Sequence, residues 1–285
     1  MDKYKIIKEK VDNIIKNNLK KSISYFGVNI NNKAEIECKT YFNQTDDIVN
    51  NFNAENYNSV FKESYWLVEK VENNKLKDEE RYELRLNLNT KKDCKKFLNN
   101  LEKIDTNLSI NQTLVSKLCD MEINDLDARE VIPLYYLGII SSKEQVRALK
   151  FHFMTRRINK DNEERYDNLY YLKYISKLGS KEFMKLAEES YTIINNNCNL
   201  HLIGIDYFTQ NYIKYKVYFK VNNFFADIYE KEFSVMNILD ERSKNEMLIL
   251  ISKILNEYKD IFIDGFAICL NNKFDTSINL YFKFN

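Results

Sequence analysis

Three lysines recur in one local frame. Lys39, Lys150 and Lys216 each stand twelve residues after a glycine, namely Gly27, Gly138 and Gly204. Two residues beyond each lysine comes a ring and then a phenylalanine, in KTYF, KFHF and KVYF, which marks out Tyr41, His152 and Tyr218. Clustered ammonium and guanidinium groups suit an anion with several oxygens, with phosphate or diphosphate the natural candidate. Tyrosine faces stabilise positive charge that develops beside them. A diphosphate clamp next to a tyrosine cage is what the ionisation of an allylic diphosphate requires. An inert alternative stands beside this one. Glu35, Glu37 and Glu83 share the same alternation and could neutralise the cations as a closed ionic network.

The elements that would position these residues are strands. In IKYKVYFKV, Ile213 to Val221, the residues Lys214, Lys216, Tyr218 and Lys220 point one way and Tyr215, Val217, Phe219 and Val221 the other. Five such segments are hairpins, at 23–43, 64–89, 133–156, 200–221 and 262–284. The second lacks the glycine but alternates Arg81, Glu83, Arg85 and Asn87 against Tyr82, Leu84, Leu86 and Leu88. The last reads INLYFKF, with Ser277 and Asn279 at the offsets held elsewhere by a basic residue and a ring, and Tyr281 beyond them.

Between hairpins run helical stripes: Ile7, Val11 and Ile14/Ile15; Phe97, Leu101 and Ile104; Phe183, Ala187, Tyr191 and Ile194; Met247, Ile251, Ile254 and Tyr258. Pro133 precedes a strand, where it interrupts no ladder. Each amphipathic helix needs an apolar face to cover, and the strands offer one. Ten strands in an open sheet would leave two long edges, which closure removes. The expected fold is therefore α+β: a ten-stranded antiparallel β-barrel built from five helix–hairpin–helix repeats, helices outside, as one domain over 1–285. A barrel wider than eight strands leaves a lumen for a ligand. The Lys/Tyr face then looks inward.

Composition narrows the function. The formal net charge of +1 gives no field for nucleic acid or an anionic membrane, and the N-terminus MDKYKIIKEK has no apolar core of a signal segment. The five cysteines form no CxxC and no zinc spacing, which fits thiols in a reducing compartment and a cytoplasmic location. Asp46–Asp47 continues as IVNN and is given no metal role.

The repeated hairpins and the inward Lys/Tyr pattern of KTYF, KFHF and KVYF resemble the aromatic prenyltransferases of the ABBA, or prenyltransferase-barrel, type. Within that family the chain looks most like the cyanobactin-type enzymes, which prenylate side chains of ribosomally made peptides. The resemblance implies a dimethylallyl or geranyl diphosphate donor, Mg²⁺ accompanying the diphosphate, and a peptide acceptor, with a small aromatic metabolite as the competing acceptor. Carried over by position, the diphosphate ligands are Lys39, Arg85, Lys150, His152 and Lys216. The shield of the allyl cation is Tyr41, Tyr218 and Tyr281. Neither nucleic acid nor membrane is an expected partner. The fifth unit departs from the pattern, because Ser277 and Asn279 supply no basic ligand.

Other residues carry two readings each. Glu37 is the first choice for a general base if one is needed, or simply pairs with Lys39 or Arg85. His152 is a phosphate ligand or a histidine bonded to a neighbouring Tyr or Glu. Asp206 is inward by the parity of Gly204 and is a weaker candidate base, His201 is placed at the rim, and Trp66 is placed in the core or the lumen wall. Inward bulk at Met154 or Tyr136 would shorten the prenyl chain accepted. Two other classes of function fit the same face: a barrel that binds a phosphorylated or aromatic ligand without catalysis, and an open strand surface that docks a partner.

Overall fold

The computed structural model describes residues 3–33, 35–55, 58–62, 64–73, 79–88, 91–101, 104, 108–120, 134–142, 145–158, 164–166, 168–191, 193, 198–221 and 239–285. Its helices are α1 (Lys3–Lys16), α2 (Asp46–Asn53), α3 (Asn58–Phe61), α4 (Lys91–Leu101), α5 (Gln112–Cys119), α6 (Asn168–Ser176), α7 (Lys181–Tyr191) and α8 (Glu241–Glu257). Its strands are β1 (Ile23–Asn31), β2 (Ile36–Phe42), β3 (Tyr65–Asn73), β4 (Glu80–Leu86), β5 (Leu134–Ser142) and β6 (Gln145–Met154). Then follow β7 (Arg156–Ile158), β8 (Glu164–Tyr166), β9 (Cys198–Phe208), β10 (Ile213–Val221), β11 (Ile261–Asn271) and β12 (Thr276–Phe284).

Ten strands close into one antiparallel barrel in the order β1-β12-β11-β10-β9-β6-β5-β4-β3-β2, while β7 and β8 form a separate two-stranded ribbon. The five expected hairpins are the five pairs β1/β2, β3/β4, β5/β6, β9/β10 and β11/β12. Pro133 and Ile194 lie outside the described residues.

Alternation decides which side chains build the shell. Phe151 and Phe153 of β6, Val217 and Phe219 of β10, and Leu280 and Phe282 of β12 are all buried. The helices that cover this outward face bring their own stripes: Ile7, Val11 and Ile14 of α1, Phe183 and Ala187 of α7, and Met247, Ile251 and Ile254 of α8. Tyr191, which the helical period placed in the α7 stripe, is exposed, because it is the last residue of its helix. At α2, Phe52 packs edge-on against Tyr65 and Tyr82, with ring centroids 5.4 and 5.2 Å apart. Thr45 caps that helix, its Oγ1 accepting from the Ile48 amide at 3.3 Å. Thr45→Ala is expected to cost about 1 kcal/mol, read as a lower denaturant midpoint at unchanged slope.

The glycine-to-lysine interval is a register effect. Gly27 faces Lys39, Gly138 faces Lys150 and Gly204 faces Lys216 directly across their hairpins. Each lysine stem lies over its glycine: a Cβ on Gly138 would stand 3.1 Å from Lys150 Cβ, and one on Gly204 would stand 3.1 Å from both His152 and Tyr218. Gly265 serves a different purpose. It faces Lys220 and Tyr281, and a Cβ there would lie 2.4 Å from the Phe219 carbonyl oxygen.

No helix among the described residues is long and apolar enough to cross a membrane. All five cysteines are buried and none is disulfide-bonded.

Candidate active site

Along β2, β6 and β10 the cation sits two residues nearer the hairpin turn than the ring that follows it, so the lumen is layered. The layer nearer the turns is ionic. Lys150 and Lys216 both reach Asp206, Lys150 Nζ at 3.9 Å from Oδ2 and Lys216 in direct contact with it. Lys39 pairs with Glu37 at 3.1 Å, and Arg81 with Glu83 at 3.2 Å. Asp206 is 1% exposed and Lys150 3%, so these charges sit in a low-dielectric interior where each needs a partner.

The titration behaviour follows from that crowding. Burial drives the Lys39 ammonium down to about 8, only partly opposed by Glu37. Burial, with Arg81 adding repulsion, pushes Lys150 well below the ordinary lysine range, against the pull of Asp206. Burial also works against the Asp206 carboxylate, yet Lys216, Lys150 and His152 outweigh it and hold Asp206 well below its usual range. Lys216, buried as well, is raised because Asp206 is its partner.

The layer above is aromatic. Tyr41 and Tyr281 have ring centroids 6.2 Å apart, and Tyr218 and Tyr281 are 6.0 Å apart. Tyr25 stands edge-on to both Tyr41 and Tyr281, at 6.4 and 6.3 Å. Burial raises the phenols of Tyr41, Tyr218 and Tyr281, so all three remain neutral at physiological pH. The two layers touch. The Arg81 guanidinium lies 5.9 Å from the centroid of Tyr41, and the Lys216 ammonium 6.0 Å from that of Tyr218. Tyr218 Oη is 3.2 Å from His152 Nε2, whose ring is in turn 3.8 Å from Asp206 Oδ1. A cavity of about 110 Å³ is lined by both layers, by Lys39, Arg81 and Lys216 and by Tyr41, Tyr218 and Tyr281. Met154, Leu202, Ala267 and Cys269 form a small apolar cluster with Tyr218, apart from the outer core.

Most of the expected residues meet here. Lys39, Lys150, His152, Lys216, Tyr41, Tyr218 and Tyr281 share the lumen, and Glu37 lies against Lys39 in a counterion's position. Arg85 does not join the cation layer. Its guanidinium is held between Tyr136 and Trp66, at 5.5 and 5.6 Å from the ring centroids, and its electrostatic neighbours are Tyr136 and Glu69. Arg81, two inward positions nearer the turn, stands where Arg85 was expected. Trp66 is not in the core. The β3/β4 register slips between Tyr65 and Leu67, and a residue at such a bulge is re-aimed, which leaves Trp66 53% exposed. In the fifth unit Asn279 accepts from Asn29 and donates to Cys269 Sγ at 3.4 Å, a neutral patch in the wall.

Asp206 was underrated by parity alone. The signal available for it was composition: of the residues two past each strand glycine, Asn29, Ile140, Asp206 and Ala267, it alone carries charge. Among the described residues no group of three or more His, Cys, Asp or Glu side chains is placed to hold a metal, and Glu37, Glu83 and Asp206 are each engaged with a cation.

No protein-family model and no curated protein matches the chain. Solved structures do. The 6-dimethylallyltryptophan synthase of Micromonospora olivasterospora, in complex with DMASPP and Trp, aligns over 91% of this chain and 81% of its own at 8% identity, with a TM-score of 0.54. The 5-dimethylallyl tryptophan synthase of Streptomyces coelicolor, also with DMASPP and Trp, covers 91% and 78% at 8% identity and a TM-score of 0.52. Prenyltransferase PriB, in a ternary complex with L-tryptophan and dimethylallyl thiolodiphosphate, covers 91% and 79% at 10% identity and a TM-score of 0.53. The fold is that of the prenyltransferase barrels. At these identities the likeness speaks for the fold alone, and chemistry has to be argued from the lumen.

Proposed function

We propose that the chain is a prenyltransferase that moves a dimethylallyl or geranyl group from its diphosphate to an aromatic acceptor held in the lumen. The observation that carries this reading is the buried cation layer set directly beneath three neutral tyrosines, inside a barrel whose solved neighbours were captured with a dimethylallyl thiolodiphosphate. The allylic C–O bond breaks, and its electron pair leaves with the diphosphate onto Lys39, Arg81, Lys150 and Lys216. The allyl cation lies against Tyr41, Tyr218 and Tyr281, whose ring faces stabilise it and whose bulk excludes water. The acceptor attacks the cation and, after the new bond has formed, loses its proton to the released diphosphate. Glu37 is engaged with Lys39, and the reaction as written needs no dedicated base. Catalysis is then positioning and electrostatic stabilisation. Mg²⁺, where it takes part, arrives with the diphosphate.

Two acceptor classes fit. A free indole or phenol is favoured by the neighbours solved with tryptophan. An aromatic side chain of a ribosomally made peptide is favoured by the Trp66–Arg85–Tyr136 stack, which runs from an exposed ring to the lumen wall and gives a longer acceptor a surface to lie on.

The deciding experiment incubates the protein with dimethylallyl or geranyl diphosphate and a panel of tryptophan, phenols and Tyr- or Trp-containing linear and cyclic peptides, with Mg²⁺ or with EDTA. Products are read by mass spectrometry. A mass gain of one prenyl group establishes the class, and the acceptor that gains it separates the two branches. Diphosphate binding with no product on any acceptor would leave a barrel that binds without catalysis.

The Lys39 ammonium supplies a pH signature. It is charged below about 8 and neutral above, so kcat/KM for the donor is expected to fall as pH rises through that value. Lys39→Arg keeps its charge at all these pH values and should move the fall to higher pH. An unchanged profile in the variant would assign the fall to Lys150, the other lysine that burial drives down.

A further inference from the structure

The cation layer is already nearly balanced. Among the described residues, four cations, Lys39, Arg81, Lys150 and Lys216, face three carboxylates, Glu37, Glu83 and Asp206. A site built only to hold a polyanion would carry a larger surplus of positive charge. Asp206 is the carboxylate at the centre, because it reaches two lysines and a histidine at once. It faces Lys150 across the β6/β9 ladder and Lys214 across β9/β10, so its place is fixed by backbone pairing on both sides. Its two oxygens divide the work. Oδ2 faces the lysines, and Oδ1 lies 3.8 Å from His152 Nε2, the same nitrogen that Tyr218 Oη approaches at 3.2 Å.

We propose that Asp206 is an internal counterion that holds Lys150 and Lys216 in place until the diphosphate of the donor displaces its carboxylate from them. The inference rests on the donor reading above and adds to it the residue that sets donor affinity. On displacement Asp206 still has the His152 ring within 3.8 Å of Oδ1. Asp206 is thus a positioning residue, acting through the two lysines. It keeps two like charges together in a buried space, and the diphosphate must compete with it for both.

The test is Asp206→Asn, which keeps the shape of the side chain and removes its charge. Inorganic diphosphate is titrated into the wild type and the variant by calorimetry, in mildly acidic buffer so that the lysines stay protonated. The variant is expected to bind at least about tenfold tighter, because a negative charge within roughly 4 Å of the ligand's own partners is gone. Its melting temperature without diphosphate should be lower than that of the wild type, and diphosphate should close the gap. A carboxylate that merely supports the fold would lower both affinity and stability, so the opposite signs are the discriminating result. A folded variant that binds diphosphate equally or more weakly than the wild type overturns the proposal while leaving the donor reading intact. If neither protein binds diphosphate, the donor reading falls and the proposal with it. Should Asp206→Asn fail to fold, Glu83→Gln tests the same layer through the partner of Arg81: tighter binding supports the counterion role, and weaker or equal binding overturns it.

Discussion

Lys150→Ala is expected to lower kcat/KM for the prenyl diphosphate by about two to three orders of magnitude, at unchanged fold. Lys150 is nearly inaccessible to solvent, so no bulk water or salt ion takes its place when the side chain is cut back. Ionisation of the donor puts new charge on the leaving diphosphate, and a buried ammonium beside it stabilises the transition state more than the ground state. The loss should therefore fall mainly on kcat. Asp206 retains Lys216, so the variant leaves no orphaned carboxylate and the melting temperature should move little. A rise in KM alone would show that Lys150 binds donor and transition state equally. Activity within about threefold of the wild type would remove Lys150 from the chemistry altogether.

Gly265→Ala is expected to be the most destabilising of the glycine-to-alanine changes in the barrel, at about 3 kcal/mol or more. The added carbon would meet the Phe219 carbonyl oxygen at 2.4 Å, and that atom is backbone held in the β10/β11 ladder. It cannot move without breaking hydrogen bonds next to Tyr218 and Lys220. Gly138→Ala is the contrast. There the neighbour is the flexible Lys150 stem at 3.1 Å, which can shift at smaller cost to the fold but out of its place in the cation layer. Thermal or denaturant unfolding of the two variants checks the order. Equal stability would show that β10 yields more readily than its pairing implies.

The parts of this molecule legible in its sequence are those that a single hairpin determines. The interval from Gly138 to Lys150 could be found because both ends belong to one turn and face each other across it. The same holds for Gly27 with Lys39 and Gly204 with Lys216. The inward placement of Tyr41, Tyr218 and Tyr281 follows from period two alone. What could not be read depends on how hairpins are staggered against each other. Arg81 and Arg85 have the same parity, and only the tilt of β4 around the ring puts Arg81 level with the lysines. The partner of Asp206 is settled by the β6/β9 ladder, which joins two different hairpins. Trp66 was misplaced because a bulge interrupts the alternation from which its direction was inferred.

Strand order around the ring follows chain order, and one ladder is unlike the other nine: β1 against β12, pairing Gly27 with Tyr281 across most of the chain. Beside this seam, α8 packs against β1 and β11, and α1 is tied to α8 by Lys8 and Tyr4 on Glu257 and by Tyr258 donating to Asp12 at 2.6 Å. The other nine ladders join barrel strands that are neighbours in chain order, while closure spans most of the chain and is expected to come late. The cation layer draws on β2, β4, β6, β9 and β10 and needs no part of that seam. The aromatic layer does, because Tyr25 and Tyr281 sit on its two strands. A chain whose ring has not zipped shut thus has its anion clamp before its water barrier, and under the proposed chemistry such a species would spill the allyl group to solvent as an alcohol.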